Sequence, residues 1–167
     1  MGNEPDSLQD LDLDVALLDE PRLQRYRLKR IQGELARRGC GALLTFDPVN
    51  TRYATGMRNM QVWSFHSLIR ACFVPVEGNA VLFEYAGSEH LAENLPTVAE
   101  VRASLPLHFG PGIGAIERDR RLRRWCDQIT SLMADAGCKD LPLALDNQVP
   151  WFMGDALRAM GLELTGG

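Results

Sequence analysis

Lysine is almost missing from this 167-residue chain: of its eighteen basic side chains only Lys29 and Lys139 are not arginine. None of the first twenty residues is basic, whereas Glu4, Asp6, Asp10, Asp12, Asp14, Asp19 and Glu20 all fall there. That start is the opposite of a secretory leader, which opens on positive charge. Asp6 also occupies the position where a myristoylation signal needs Ser or Thr. No apolar run approaches the roughly 18–20 residues that cross a bilayer, so no membrane partner is expected. The net charge of −4 argues against a general nucleic-acid binder, whose affinity rests on neutralising phosphates. The four cysteines, Cys40, Cys72, Cys126 and Cys138, form no C-x-x-C pair. With no leader they read as reduced thiols, and the expected location is cytoplasmic. A zinc site built from them with His66, His90 and His108 is not expected, because no two ligands have zinc-site spacing.

Hydrophobic residues make up 46% of the chain and the mean hydropathy is −0.16, enough for one domain with its own core. Residues 1–19 read as a flexible acidic arm and residues 20–167 as the folded domain. A helix is expected from Pro21, capped by Asp19 or Glu20. Its apolar face is Leu23, Tyr26, Leu28, Ile31 and Leu35, and it stops at Gly39 and Gly41. Ala42–Phe46 is a buried strand, and Pro48–Thr55 a short helix closing at Gly56. Leu68–Val76 and Asn79–Tyr85 form a hairpin around Glu77-Gly78, followed by a short helix at His90–Asn94 and a weaker strand at Ala99–Ser104. After a Pro- and Gly-rich loop, Ile116, Leu122, Trp125, Ile129, Leu132 and Met133 mark a long amphipathic helix ending near Gly137. Leu141–Leu145 is a strand, Pro150–Met160 a helix and Leu162–Thr165 the start of a last strand. The order predicts an α/β fold: a single domain with a mixed sheet flanked by helices.

Tests for chemistry return little. Gly110, Gly112 and Ala115 match G-x-G-x-x-A before a helix, which keeps open a small nucleotide-binding protein using the Gly110–Ala115 loop. Against it, the preceding segment carries Pro106 and His108, and Pro111 removes an N–H where a phosphate would need one. The five arginines from Arg118 to Arg124 alternate with Glu117 and Asp119, as a solvated helix face does; a stand-alone protein-interaction module is the remaining alternative. Ser64 and His66 lie two apart, which in a strand would put both on one face, but they have no third group, and there is no G-x-S-x-G. No catalytic residue and no metal ligand is therefore assigned. The stretch Asp47–Arg70 stands out instead, polar and aromatic in alternation, with Trp63, Phe65 and His66 suited to a pocket, an interface or the core.

That stretch carries a resemblance. Tyr26-Arg27-Leu28, Gly41-Ala42-Leu43-Leu44, Asp47-Pro48-Val49-Asn50, Arg52-Tyr53 and Gly56 resemble the N-terminal domain of the creatinase/prolidase/aminopeptidase P family. Arg58 through Trp63 and Arg70-Ala71-Cys72 are similar to its Xaa-Pro-peptidase-like and dimethylsulfoniopropionate-lyase-like branch. Thr51 stands where the family usually has Ile. The resemblance implies a ribonuclease-H-like α/β domain joined, in the family, to a pita-bread metallohydrolase domain. That catalytic domain is expected to lie beyond this chain, with a divalent metal pair in it and no cofactor here. A non-catalytic role follows, in forming a homodimer or docking a pita-bread domain and in closing over the partner subunit's active site. Arg58, Asn59, Trp63 and His66 are the candidate substrate-proximal or interface residues. Asp47, Pro48, Asn50, Arg52, Tyr53 and Gly56 form the structural motif. The implied parent is an Xaa-Pro peptidase, with a dimethylsulfoniopropionate lyase as the alternative.

Overall fold

A computed structural model describes residues 19–58, 70–104 and 113–167. Helix α1 (Glu20–Arg37) leads into β1 (Ala42–Thr45) and α2 (Pro48–Thr55). The strands β2 (Ala71–Pro75) and β3 (Ala80–Glu84) follow, then a 3-10 turn (Glu89–Ala92) and β4 (Val98–Ala103). The second half alternates α3 (Ala115–Asp135), β5 (Leu143–Leu145), α4 (Trp151–Ala159) and β6 (Leu164–Gly166). Six strands make one sheet in the order β4-β3-β2-β1-β5-β6. The β1–β2 and β2–β3 pairs are antiparallel, and the β3–β4, β1–β5 and β5–β6 pairs are parallel. The mixed α/β fold expected from the sequence is present.

Three helix-to-strand joints are built alike. Gly39, Gly137 and Gly161 follow α1, α3 and α4 with φ of +69°, +68° and +89°, conformations that a side chain disfavours. Each glycine N–H and the N–H after it reach back to helix carbonyls, Gly39 to Ala36 and Cys40 to Leu35 in the first case. Gly137 and Cys138 repeat this on Ala134 and Met133, and Gly161 and Leu162 on Arg158 and Leu157. These are Schellman closures, in which the residue after the glycine packs apolar surface back on the helix. Cys40, Cys138 and Leu162 are accordingly buried, and each joint feeds one of the parallel strands β1, β5 and β6.

Side-chain alternation divides the core. Ala42, Leu44, Ala71, Phe73, Val81, Phe83 and Leu143 pack against Trp125, Ile129 and Met133 of α3 and Met153 and Leu157 of α4. On the other face, Cys72, Val74, Ala80 and Leu82 meet Leu28 of α1 and Ala54 of α2. This second face is also the polar one. The register pairing Ala71 with Phe83 sets Arg70 opposite Glu84. Their side chains are only 7% and 0% exposed. The guanidinium grips the carboxylate through Nε–Oε2 at 2.5 Å and Nη2–Oε1 at 2.6 Å, and the Tyr85 N–H donates to Oε1 at 2.8 Å. The Tyr85 ring lies 5.5 Å from the guanidinium carbon.

Several expectations need correcting. Tyr26 is 59% exposed, and the buried face of α1 is Gln24, Leu28, Gln32 and Leu35, because α1 meets the polar turn of the hairpin: Gln32 Nε2 donates to the carbonyls of Pro75 and Gly78. Ile116 is 88% exposed; it sits nearly two turns before α3 reaches the sheet, where packing begins near Leu122. The short helix expected at His90–Asn94 is the 3-10 turn Glu89–Ala92, ended by Asn94 at φ +63°. The last strand begins at Leu164, since Leu162 is consumed by the joint before it. The arginine run on α3 pairs with its own helix, Arg120 and Arg121 with Glu117 and Arg118 with Asp119.

Removing one partner of a buried ion pair leaves an uncompensated charge, a loss of about 3–5 kcal/mol. Glu84→Leu should destabilise the chain by about that much in urea unfolding. Arg70→Met combined with Glu84→Leu should recover most of the loss, because no lone charge then remains.

Candidate functional site

The segment from Asp47 to Arg58 starts where β1 ends. Asp47 caps α2, its Oδ1 accepting from the N–H groups of Val49 at 2.7 Å and Asn50 at 2.9 Å. Pro48 fills the first helical turn, where its missing N–H costs nothing. A second carboxylate completes the corner. Asp146 follows β5, and its Oδ2 accepts from the Thr45 hydroxyl, from the Asp47 N–H at 3.1 Å and from Asn50 Nδ2 at 3.5 Å. Its Oδ1 accepts from the Gln148 N–H at 3.1 Å, and its own N–H donates to the Leu44 carbonyl. The two parallel strands are thus tied at their ends and to the start of α2.

Sequence reasoning missed Asp146. The signal was available: β5 and β1 are both short apolar strands followed by Asp, Leu143-Ala144-Leu145-Asp146 matching Ala42-Leu43-Leu44-Thr45-Phe46-Asp47 with two residues fewer before the Asp.

At its other end α2 turns through Gly56, φ +78°, whose N–H bonds the Arg52 carbonyl at 2.8 Å. A Cβ at Gly56 would fall 2.3 Å from Gln24 Nε2, so this position needs glycine for space as well as for backbone. The Thr55 hydroxyl donates to the Thr51 carbonyl and accepts from the Met57 N–H, and the Thr97 hydroxyl donates to the Thr55 carbonyl. Thr51 is buried, and its hydroxyl has no hydrogen-bond partner among the described residues. Tyr53 is half-buried beneath the Arg27 guanidinium, 5.5 Å from the ring centroid. Arg52 and Arg58 are exposed, and Arg58 pairs with Glu20 across the mouth of α1. Of the four candidate substrate-proximal residues, Arg58 is therefore placed, whereas Asn59, Trp63 and His66 lie outside the described residues, as do Ser64, Gly110 and Gly112.

Among the described residues, no three His, Cys, Asp or Glu side chains come together as metal ligands would, so no step through a metal is derived for this chain. The cysteines are separately buried. Burial pushes the Cys72 thiol up to about 12 and the Cys126 thiol up to about 11, which keeps both protonated and unreactive near neutral pH. No helix among the described residues is long and apolar enough to cross a membrane.

With this geometry in place, comparison with known proteins is informative. Residues 27–106 match the family described as the Creatinase/Prolidase N-terminal domain. The chain carries a creatinase/prolidase N-terminal domain. It is 32% identical over 157 residues to the dimethylsulfoniopropionate lyase DddP of Roseovarius nubinhibens, an alignment that spans 92% of this chain and 34% of the lyase. It is 38% identical over 108 residues to DddP of Roseobacter denitrificans, spanning 63% of this chain and 24% of that protein. The chain spans a third or less of the length of these curated relatives. An Xaa-Pro aminopeptidase structure from Streptococcus pyogenes superposes with a TM-score of 0.58 at 16% identity, covering 87% of this chain and 92% of that one. At that identity the likeness speaks for the fold alone.

Asp146→Ala should cost the domain about 3 kcal/mol in urea unfolding, since it strands several donors at once, and Asp146→Asn should cost less because one acceptor oxygen survives. Thr51→Val should stabilise the domain by about 1 kcal/mol in the same measurement, by removing a buried hydroxyl that has no partner at nearly unchanged volume.

Proposed function

We propose that this chain, with its folded part at residues 20–167, is the non-catalytic N-terminal domain of a two-domain metalloenzyme. Its role is to help assemble the dimer and to close over the active site of a partner subunit, where it takes part in choosing the substrate. The divalent metal pair belongs to the catalytic domain of that parent. The observation that carries the reading is the alignment to two lyases of which this chain spans only 34% and 24%, together with a described structure in which side chains are spent on packing and on internal hydrogen bonds. On the α1 side the half-buried Ile31 and Leu43 line an open cavity of about 570 Å³ together with Arg30, Glu34, Arg38 and Tyr53, a mixed surface that supports the docking of a neighbouring domain.

The motifs of the sequence by themselves favour an Xaa-Pro peptidase as the parent. The identity of 32% to a dimethylsulfoniopropionate lyase, against 16% to the Xaa-Pro aminopeptidase structure, supports the lyase as the second reading. In both readings Arg58, Asn59, Trp63 and His66 face the substrate of the partner subunit: Arg58 pairs with a carboxylate and Trp63 excludes water.

Two assays test this. The purified chain, supplied in turn with Mn²⁺, Co²⁺, Zn²⁺ and Fe²⁺, should turn over neither dimethylsulfoniopropionate nor an Xaa-Pro dipeptide; turnover of either would end the proposal. In the Roseovarius lyase, this chain substituted for the matching N-terminal segment should support activity, and Trp63→Ala in that chimera should raise KM or lower kcat by about tenfold. Unchanged kinetics would remove the substrate-selecting role.

A further inference from the structure

Strand β6 runs into the cavity beside α1. Leu164 turns its side chain to the α3–α4 core, whereas Thr165, on the opposite face, is exposed. The backbone then reaches the cavity, where Gly167 joins Ile31, Gly33 and Leu43 in the lining. Gly167 is held there. Its N–H donates to the Leu145 carbonyl at 2.8 Å, and a Cβ on it would meet Leu43 Cδ1 and the Leu145 oxygen at 3.0 Å. The backbone therefore lies hard against the sheet, and whatever is bonded to the Gly167 carbonyl starts at the cavity.

Gly33 gives the opposite wall an unusual shape. It sits in the interior of α1, where glycine weakens a helix relative to ordinary side chains. Its φ is not positive, and a Cβ there would meet nothing within 4 Å. Neither backbone conformation nor crowding among the described residues calls for glycine at this place. A wall without a side chain does let another backbone come close. Arg30, Glu34 and Arg38 edge the same cavity, so apolar lining is surrounded by charge, as at an interface.

We propose that this cavity receives the stretch of parent chain that follows Gly167, laid along α1 over Gly33 with apolar side chains against Ile31 and Leu43. The proposal rests on the reading above that a catalytic domain follows this one, and it adds how the two are joined. Only 34% of the Roseovarius lyase is matched by this chain, so a parent of that kind has ample further chain to supply the occupant. A second copy of the domain would have to enter a cavity that the chain's own continuation already occupies. The connection is thus clamped to α1, and the angle between the two domains is set by that contact rather than by a free linker.

The test compares the purified chain with a version lengthened by about twenty residues, enough to run the length of α1, taken from the Roseovarius lyase directly after the part that this chain matches. The lengthened chain should melt at least about 4 °C higher, because apolar surface is covered. Gly33→Gln should raise the melting temperature of the short chain by about 2–4 °C through helix propensity and lower that of the long one, whose added segment it displaces. Ala36→Gln, on α1 outside the lining, should shift both chains alike. Equal melting of the two chains, or a rise in both on Gly33→Gln, would overturn the proposal. So would a concentration-dependent dimer of the short chain that Gly33→Gln abolishes, since the occupant would then be a second copy. Neither chain holds a catalytic domain and the readout is thermal, so failure here leaves the turnover and KM assays above standing, and their failure leaves this comparison readable.

Discussion

A single carboxylate holds the corner on which the candidate site is built. Asp146 gathers the Thr45 hydroxyl, the Asp47 N–H, Asn50 and the Gln148 N–H, which come from β1, from the start of α2 and from the turn after β5. Hydrogen bonds to an ionised acceptor are roughly twice as strong as neutral ones, and here they act where two parallel strands stop and the backbone would otherwise leave donors unmet. The consequence runs outward along the chain. With the first turn of α2 fixed by Asp47 and Asp146, its last turn must reach Gln24 of α1, and only Gly56 allows that approach. Arg52, Tyr53 and Arg58 are thereby presented on one rim rather than scattered over a loop.

The two faces of the sheet are put to different uses. Toward α3 and α4 the core is apolar throughout, from Leu44 and Phe73 to Ile129 and Leu157. Toward α1 and α2 the buried set includes Gln24, Gln32, Thr51, Thr55, Thr97, Arg70 and Glu84. Burying such groups brings no gain over apolar packing, and Gln24, Gln32 and Thr51 each keep an atom with no partner among the described residues. Conflicts between local preference and burial tend to gather where a protein does something besides fold. Among the described residues these unmet groups lie on the α1–α2 side of the sheet, whereas α3 and α4 close the other side with apolar side chains.

What the sequence made legible follows the physics of each signal. Caps and closures act within a few residues, so Asp19, Pro21, Asp47, Pro48, Gly39, Gly56 and Gly137 could be read directly, and with them the limits of α1, α2 and α3. Apolar periodicity located the strands and the buried face of α3. It misjudged Tyr26 and Ile116 because it cannot tell where along a helix the sheet begins or what polar partner waits opposite, as the Pro75 and Gly78 carbonyls wait for Gln32. Contacts across long separations were out of its reach altogether. The Thr45–Asp146 bond joins residues 101 positions apart, and Arg70 meets Glu84 only because the hairpin register sets them opposite.

The comparisons divide along the same line between scaffold and surface. At 16% identity the Xaa-Pro aminopeptidase preserves the architecture, which the glycine joints, the caps and the apolar faces suffice to specify with many different side chains. The 32% identity to a dimethylsulfoniopropionate lyase extends over nearly the whole of this chain, well past what a shared scaffold demands. Fold carries no function by itself, since function resides in the side chains that a fold presents. The sequence likeness to the lyase and the structural likeness to the aminopeptidase are therefore different kinds of observation, and the second speaks for architecture alone.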